Sequence, residues 1–583
     1  MHVVATAGHV DHGKSTLVRR LTGMEPDRWS EERRRGLTID LGFAWTAIDG
    51  QQVAFVDVPG HKRFVPNMLA GIGEVPAVLF VVAADEGWMP QSEEHLEALD
   101  ALGVRHGLLA VTRSDLADPE PATELVLEHI ENTSLGRIPA VAVSGKTGDG
   151  VDELRTRLGE LVNGLPAPDT DADVRLWVDR SFSVRGAGTV VTGTLRGGTV
   201  RGEDELELAS TGQRVRVRGL QALGESTPSV SAVARIAVNL RGVDADDVVR
   251  GDALLTPDAW RGTEWADVAL RGHDGDLSGE LVLHAGSAAL TVRPRQLGPG
   301  LVRLHLDRPL PLRHGDIALL RNPGQHHVVA GVRVLDVDPP PLTRRGAARA
   351  RAAELAEYTD PVSAAERLLR RRGFVAAADL RWMGLPGVGE ELPGGWHADP
   401  DKLAKARREL PTLVRGWREA HPLQPGVPVD VVRQRLGLVP GLVEGIAKAA
   451  GLSTVDGQVR FPAAESELPQ HVEAALAKLE RDLTDAPFVA PEAARLAELK
   501  MDARAQAAAV RAGRLLKIAD GIVLLPGADE RAADVLATLE PPFTLSDARK
   551  ALNTTRRVAV PLLELLDRKG FTERLPDSTR RMR

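Results

Sequence analysis

Through the first 166 residues, wholly apolar runs alternate with amphipathic stretches. Residues 3–7, 53–57, 77–83, 107–112 and 140–144 read as strands buried on both faces. Residues 15–23, 91–102, 121–131 and 151–161 carry apolar positions at helical spacing and read as helices. This alternation predicts a parallel sheet with crossover helices, an α/β domain over 1–166. Leu165-Pro166-Ala167-Pro168-Asp169 ends it. From about 172 to 338 the period falls to two. Short runs recur at 174–179, 189–194, 213–218, 234–239, 266–270, 281–283, 288–292, 301–306 and 328–334, parted by Gly and Asp turns. They predict two small β-barrels, 172–257 and 258–338, meeting near Pro257.

Asp338-Pro339-Pro340-Pro341 closes the β region, and the basic, Ala-rich stretch 344–351 reads as a helical connector. The remainder is mostly helical with a weak repeat. Val455-Asp456-Gly457 precedes Gln458-Val459-Arg460-Phe461-Pro462, and Ala519-Asp520-Gly521 precedes Ile522-Val523-Leu524-Leu525-Pro526. Each follows a helical segment and a glycine, Gly451 or Gly513. Helices followed by a short hairpin describe an α+β winged-helix module. Pro393-Gly394-Gly395-Trp396 and residues 570–576 are candidate wings of two more. The modules are placed at 345–419, 420–464, 465–527 and 528–583. The alternative is one α-helical domain with accidental similarity.

Composition narrows the function. A chain of 583 residues is too long for one core. A net charge of -8 excludes a surface that grips nucleic acid everywhere, so such contacts must be local. Residues 541–583 are the exception, with 8 Arg and 2 Lys against 5 Asp and Glu. Cysteine is absent, which excludes disulfides and thiolate metal sites. The longest apolar run, 75–84, contains Pro76 and is too short for a bilayer, and the N-terminus lacks signal-peptide features. A cytoplasmic protein without a membrane segment is expected.

Gly8-His9-Val10-Asp11-His12-Gly13-Lys14-Ser15 follows a strand and opens a helix, the context of a P-loop. Its backbone N–H groups cradle phosphates, Lys14 reaches the β- and γ-phosphates, and the Ser15 hydroxyl ligates Mg²⁺. The nucleotide-binding set continues to Thr16. Asp57-Val58-Pro59-Gly60-His61 ends a later strand; Asp57 can hold Mg²⁺ through water, and the Gly60 N–H can meet the γ-phosphate. Between them, Thr38 is the candidate second hydroxyl on Mg²⁺. Thr112-Arg113-Ser114-Asp115 stands where guanine is read. Asp115 can accept from guanine N1 and N2, which favours GTP and GDP over adenine nucleotides. The usual Asn-Lys is replaced by Thr112 and Arg113, which predicts fewer tethering bonds from Thr112. Ser144-Gly145-Lys146 is placed to offer a backbone N–H to the guanine oxygen.

These motifs resemble the translational GTPases such as elongation factor Tu, and so does Arg185-Gly186-Ala187-Gly188-Thr189-Val190-Val191-Thr192-Gly193-Thr194. The stretches 35–43, 57–71 and 179–182 narrow the resemblance to the bacterial selenocysteine-specific elongation factors. That resemblance covers the GTPase domain and both barrels, and implies four winged-helix modules in the tail, the last gripping an mRNA hairpin. It implies a monomer that brings selenocysteinyl-tRNA to the ribosome at in-frame UGA codons, with GTP hydrolysis on codon recognition. His61 matches the histidine that orients the attacking water. Asp179, Arg180 and Arg235 match the aminoacyl pocket, where two guanidiniums favour a selenolate over a serine hydroxyl. Arg556 and Arg557, at a helix start in the last module, are candidate mRNA contacts. Two rival readings stay open: a general translation GTPase, and a nucleotide-dependent scaffold without turnover.

Overall fold

The computed structural model describes residues 1–26, 41–59, 67–68, 71, 75–273, 275, 277–322, 328–438, 441–462 and 468–583. Thr38, Gly60 and His61 lie outside the described residues. The chain forms two compact units, residues 1–388 and 389–583.

The first domain holds strands β1 (His2–Ala7), β2 (Gly42–Ile48), β3 (Gln51–Asp57), β4 (Ala77–Ala83), β5 (His106–Thr112) and β6 (Ala140–Ala142). Helices α1 (Lys14–Thr22), α2 (Pro90–Ala101), α3 (Glu120–Glu131) and α4 (Val151–Asn163) connect or flank them. The sheet order is β2-β3-β1-β4-β5-β6. β3, β1, β4, β5 and β6 run parallel, and every residue of β4 is buried, as its unbroken apolar run requires. β2 is the element that the periodicity misses. It pairs antiparallel with β3 through Asp49-Gly50, both at positive φ (49° and 77°), a two-residue hairpin turn. Parallel pairing puts the ends of β1, β3 and β5 at one edge, so Gly8, Asp57 and Thr112 are brought together by topology.

The second domain is a β-barrel whose strands run from Arg175–Trp177 to Ala253–Leu255. Its strand Gly188–Leu195 alternates buried and half-buried residues, the pattern of one face in the core. The third domain is a closed six-stranded barrel from Thr263–Arg271 to Val328–Asp336. The helix Ala347–Leu355 is more than a connector. It packs Ala348, Ala352 and Leu355 against Leu297, Leu301 and Leu335 of this barrel. Its Arg351 is buried and donates to Asp267 (2.7 Å) and to Asp336. Asp267, fully buried, also accepts two bonds from Arg303, at 2.6 and 2.9 Å.

The following segment also belongs to this barrel's core. Ala365, Leu368, Leu369, Leu380 and Met383 join the barrel's apolar interior. The segment 345–419, expected as one module, is therefore divided at residue 388 between the two units.

In the second unit, helix Pro400–Ala420 packs on helices Val429–Leu436 and Leu442–Ala449, across the boundary expected at 419. Three helices then lead into hairpin Leu516–Ala519/Ile522–Leu524, and three more into Thr572–Arg574/Arg580–Met582. This is the winged-helix order. Residues of these last two modules, from Leu468 to Leu566, share one hydrophobic core, so neither buries its apolar face alone. Pro561 lies inside helix Arg556–Lys569.

Removing Asp267 leaves two arginines buried without their shared carboxylate, a loss of about 3–5 kcal/mol. In an Asp267→Ala variant, amides of Thr263–Arg271 and Ala347–Leu355 are expected to exchange with solvent roughly 100- to 5,000-fold faster. Amides of β4 and β5 in the first domain should not change. Equal acceleration everywhere would mean that this network stabilises the whole unit and not one barrel.

Candidate functional site

The phosphate loop is built by one steric demand. Gly8 has φ 125°, and a Cβ there would stand 2.1 Å from the Val81 carbonyl oxygen. Only glycine lets β1 turn beside β4 into the loop. Gly13 at φ 78° caps α1 without a side-chain bond, and Lys14 and Ser15 open that helix. Lys14, 3% exposed, donates from Nζ to the carbonyls of Gly8 (2.9 Å) and His9 (2.7 Å).

The other loop carbonyls face β5. Thr112 Oγ1 donates to the His12 carbonyl at 2.8 Å. Arg113, in left-handed backbone (φ 55°), donates from Nη2 to the Asp11 carbonyl at 2.5 Å. Its Nη1 meets Asp85 (3.0 Å) and Glu86 (2.8 Å). Thr112 thus makes one bond to the loop and Arg113 another, and together they tie two consecutive loop carbonyls. Asp115 is oriented by the Ser144 hydroxyl, 2.7 Å from Oδ1, and the Thr147 N–H donates to that same hydroxyl at 3.0 Å. Gly145 lies against the Thr16 methyl, where an added Cβ would stand at 3.2 Å. The Val10 backbone N–H donates to Gln91 Oε1 at 3.3 Å, and Lys146 is exposed.

Asp57 is fully buried at the end of β3, and Thr6 Oγ1 donates to its Oδ1 at 2.7 Å. The same hydroxyl accepts from Val58 N–H at 3.2 Å. Ser15 and Asp57 are hard oxygen donors, and a buried carboxylate in this setting suits a small divalent cation such as Mg²⁺.

One buried histidine lies beside the loop and another within it. His95 of α2 accepts the Gly8 N–H on Nδ1 at 2.9 Å, so it is neutral with its proton on Nε2. Burial first, then Lys14 and His9, push its pKa down to about 3. His12, fully buried, sets Nδ1 3.3 Å from the Val81 carbonyl and Nε2 3.5 Å from Glu86. Burial, with the neighbouring His9, lowers it to about 4. Sequence reasoning passed over Thr6, Asp85, Glu86 and His95. The inward face of the helix over 91–102 was the one available signal for His95.

The second group of expected residues lies between the first domain and the first barrel. A cavity of about 700 Å³ is walled by Phe43 and Trp45 of β2 and by Arg180, Thr192, Arg235 and Asn239 of the barrel. Asp179, 8% exposed, grips Arg235 through both oxygens, one bond at 2.8 Å, and accepts from Thr192 Oγ1 at 2.7 Å. The Arg235 guanidinium sits 4.0 Å from the Phe43 ring centre. Arg180 donates to the Leu41 carbonyl at 2.5 Å. All three expected residues are thus assembled, with Asp179 behind Arg235 and not on the cavity wall.

In the last module the two expected arginines separate. Arg557 donates from Nη2 to the carbonyls of Pro491 (3.0 Å) and Gly521 (3.1 Å), clamping its module to the preceding one. Arg556 is exposed at the helix start.

Fold and site together define a translational GTPase, which hydrolyses GTP. Residues 1–164 match the Elongation factor Tu GTP binding domain and 188–255 match Elongation factor Tu domain 2. Residues 278–341 match the beta-barrel domain of selenocysteine-specific elongation factors, and 534–581 match the winged helix of elongation factor SelB. The chain is 32% identical to the selenocysteine-specific elongation factor of Desulfomicrobium baculatum, over 99% of this chain and 98% of that one. It is 31% identical to that of Escherichia coli (strain K12), over 98% and 97%. The chain belongs to the selenocysteine-specific elongation factor family. It superposes on a crystal structure of bacterial selenocysteine-specific elongation factor EF-Sec over the full length of both chains, with a TM-score of 0.76 and 26% identity. Elongation factor SelB from Methanococcus maripaludis with the GTP analogue GPPNHP shares the fold over 58% of this chain and 79% of that one, at TM-score 0.51 and 24% identity. Among the described residues no helix is long and apolar enough to cross a membrane.

The histidines set a pH dependence. Their folded pKa values, about 3 for His95 and about 4 for His12, lie below the ordinary 6.5. Below pH 6.5 the unfolded chain therefore binds protons that the folded domain cannot. Stability is full above that pH and falls by about 1.4 kcal/mol per pH unit for each histidine as pH drops toward 4. Urea unfolding of the first domain at pH 7.5, 6 and 5 checks this. A His95→Gln variant, which keeps a neutral acceptor, should shallow the slope; an unaltered slope would exclude His95 as its source.

Proposed function

We propose that this chain carries selenocysteinyl-tRNA to the ribosome in its GTP form and releases it on hydrolysis, at UGA codons marked by an mRNA hairpin. The observation that carries this reading is the cavity between β2 and the first barrel, walled by Arg180 and Arg235. Selenols are more acidic than thiols and are anionic near neutral pH. Two guanidiniums in a half-buried wall favour that anion over a neutral serine hydroxyl. Asp179 offsets part of the Arg235 charge and fixes its plane, so Arg235 acts as an oriented donor and Asp179 as its positioning residue.

In the nucleotide site, Lys14 bonds the β- and γ-phosphates, and loop N–H groups from His9 to Thr16 surround them. Asp115, held by Ser144, accepts from the guanine edge, and the Gly145–Lys146 backbone meets the guanine oxygen. Ser15, Asp57 and Thr38 would hold Mg²⁺, which supplies charge neutralisation between the phosphates when bound. Gly60 N–H is assigned to the γ-phosphate and His61 to orienting the attacking water, a role of positioning and electrostatics. Arg556 is assigned to the mRNA hairpin, at a helix N-terminus whose N–H groups add to its charge.

The pocket is tested with purified full-length chain and GTP. Arg180→Ala and Arg235→Ala should each weaken selenocysteinyl-tRNA binding by roughly 10- to 100-fold, the worth of about 1.5–3 kcal/mol for a charge-assisted bond. Seryl-tRNA binding should fall much less. Equal weakening of both ligands would mean that the arginines hold the tRNA backbone and not the selenolate.

A further inference from the structure

The basic stretch after the third domain finds no use in the nucleotide or aminoacyl sites. Between 341 and 352 the chain has four arginines, Arg344, Arg345, Arg349 and Arg351, and no carboxylate. The structure divides them. Arg351 turns inward to Asp267 and Asp336 and locks the helix onto the barrel. Arg344, Arg345 and Arg349 stay exposed, and their guanidiniums have no ion pair or hydrogen bond among the described residues.

Several other surface arginines of the two barrels are paired, whereas these three stand close together in sequence with no carboxylate among them. Arg214 meets Asp258, Arg216 meets Glu203, Arg271 meets Asp100 and Arg293 meets Glu280. At the docked helix the like charges are also placed against the positive end of the helix dipole. The N-cap is Gly346, no side chain caps the helix, and its first turn has no acidic residue. Such an arrangement is unfavourable without an anionic partner. A buried ion network anchors the helix that carries Arg349 and directly follows Arg344 and Arg345, at the surface of a chain whose net charge is -8. The guanidinium fork matches phosphate oxygens.

We infer that Arg344, Arg345 and Arg349 form a backbone-binding surface for the tRNA whose 3′ end enters the aminoacyl cavity. This rests on the aminoacyl reading of that cavity. The helix belongs to the same compact unit, 1–388, as the cavity, whereas the residue assigned to the mRNA hairpin lies in the other. Contacts of this kind are indifferent to the esterified amino acid and sensitive to salt.

The test uses full-length chain with GTP, titrated with selenocysteinyl-tRNA and with seryl-tRNA over a series of salt concentrations. Replacing all three arginines by Ser should make the slope of log affinity against log salt shallower by about two to three, near 0.9 per lost phosphate contact. Both aminoacyl-tRNAs should weaken alike, by roughly tenfold or more at low salt. The wild-type preference between them, which carries the pocket reading, should survive; its absence in the wild type would refute that reading separately. Replacement of all three by Lys should restore most of the slope, and Arg345→Glu alone should steepen the loss if the Ser variant is poorly folded. An unchanged slope overturns the inference. So does a loss confined to mRNA hairpin binding, or to ribosome-stimulated hydrolysis with tRNA affinity intact.

Discussion

A loop that turns its N–H groups inward toward phosphate must turn its carbonyls outward, and each of those needs a donor. The nucleotide site follows from how this chain meets that demand. Lys14 takes the carbonyls of Gly8 and His9, Arg113 that of Asp11, and Thr112 that of His12. The donors come from α1 and from the end of β5, so the loop cannot form without both elements in place. Asp115 then follows two residues after Arg113, and its position is fixed relative to the phosphates. The residues assigned to phosphate and those assigned to the base are thus one assembly. Thr-Arg in place of Asn-Lys keeps the tether by moving much of it to the arginine, which Asp85 and Glu86 steady from the other side.

The same economy appears at the barrel face. β2 is the edge strand of the GTPase sheet and also a wall of the cavity. Arg180 and Arg235 reach across the domain boundary to the Leu41 carbonyl and the Phe43 ring. Any shift of β2 therefore moves the donors assigned to the amino acid. Further along, the Asp267 network makes helix Ala347–Leu355 part of the third domain, and the apolar residues after it extend that domain's core.

Much of this was legible in the sequence because the relevant signals are local. Runs such as 77–83 and the P-loop spacing report elements directly, and the strand before the loop and the helix after it confirm the motif. β2 was missed although Asp49-Gly50 is a hairpin signal, because its apolar pattern GFAWTAI has no clean period. His95 could not be read as a site residue, since its contact with Gly8 spans 87 positions. The tail misled for a different reason. A repeat in sequence suggested successive winged-helix modules with boundaries between them. Yet the part of 345–419 up to residue 388 shares its interior with a barrel, and the last two modules share one core, because small helical units cannot bury enough apolar surface alone. Arg557, paired with Arg556 by sequence, was separated from it by carbonyls of Pro491 and Gly521 that no local pattern reveals.

The central claim is that the cavity beside β2 reads the charge of an amino acid in the GTP state. The direct measurement is a set of four dissociation constants for the unmodified chain: selenocysteinyl-tRNA and seryl-tRNA, each with GTP and with GDP. The account predicts tight binding in one case alone, selenocysteinyl-tRNA with GTP, and a preference over seryl-tRNA that fades as pH falls and the selenolate is protonated. Equal constants for the two aminoacyl-tRNAs in the GTP form would contradict it.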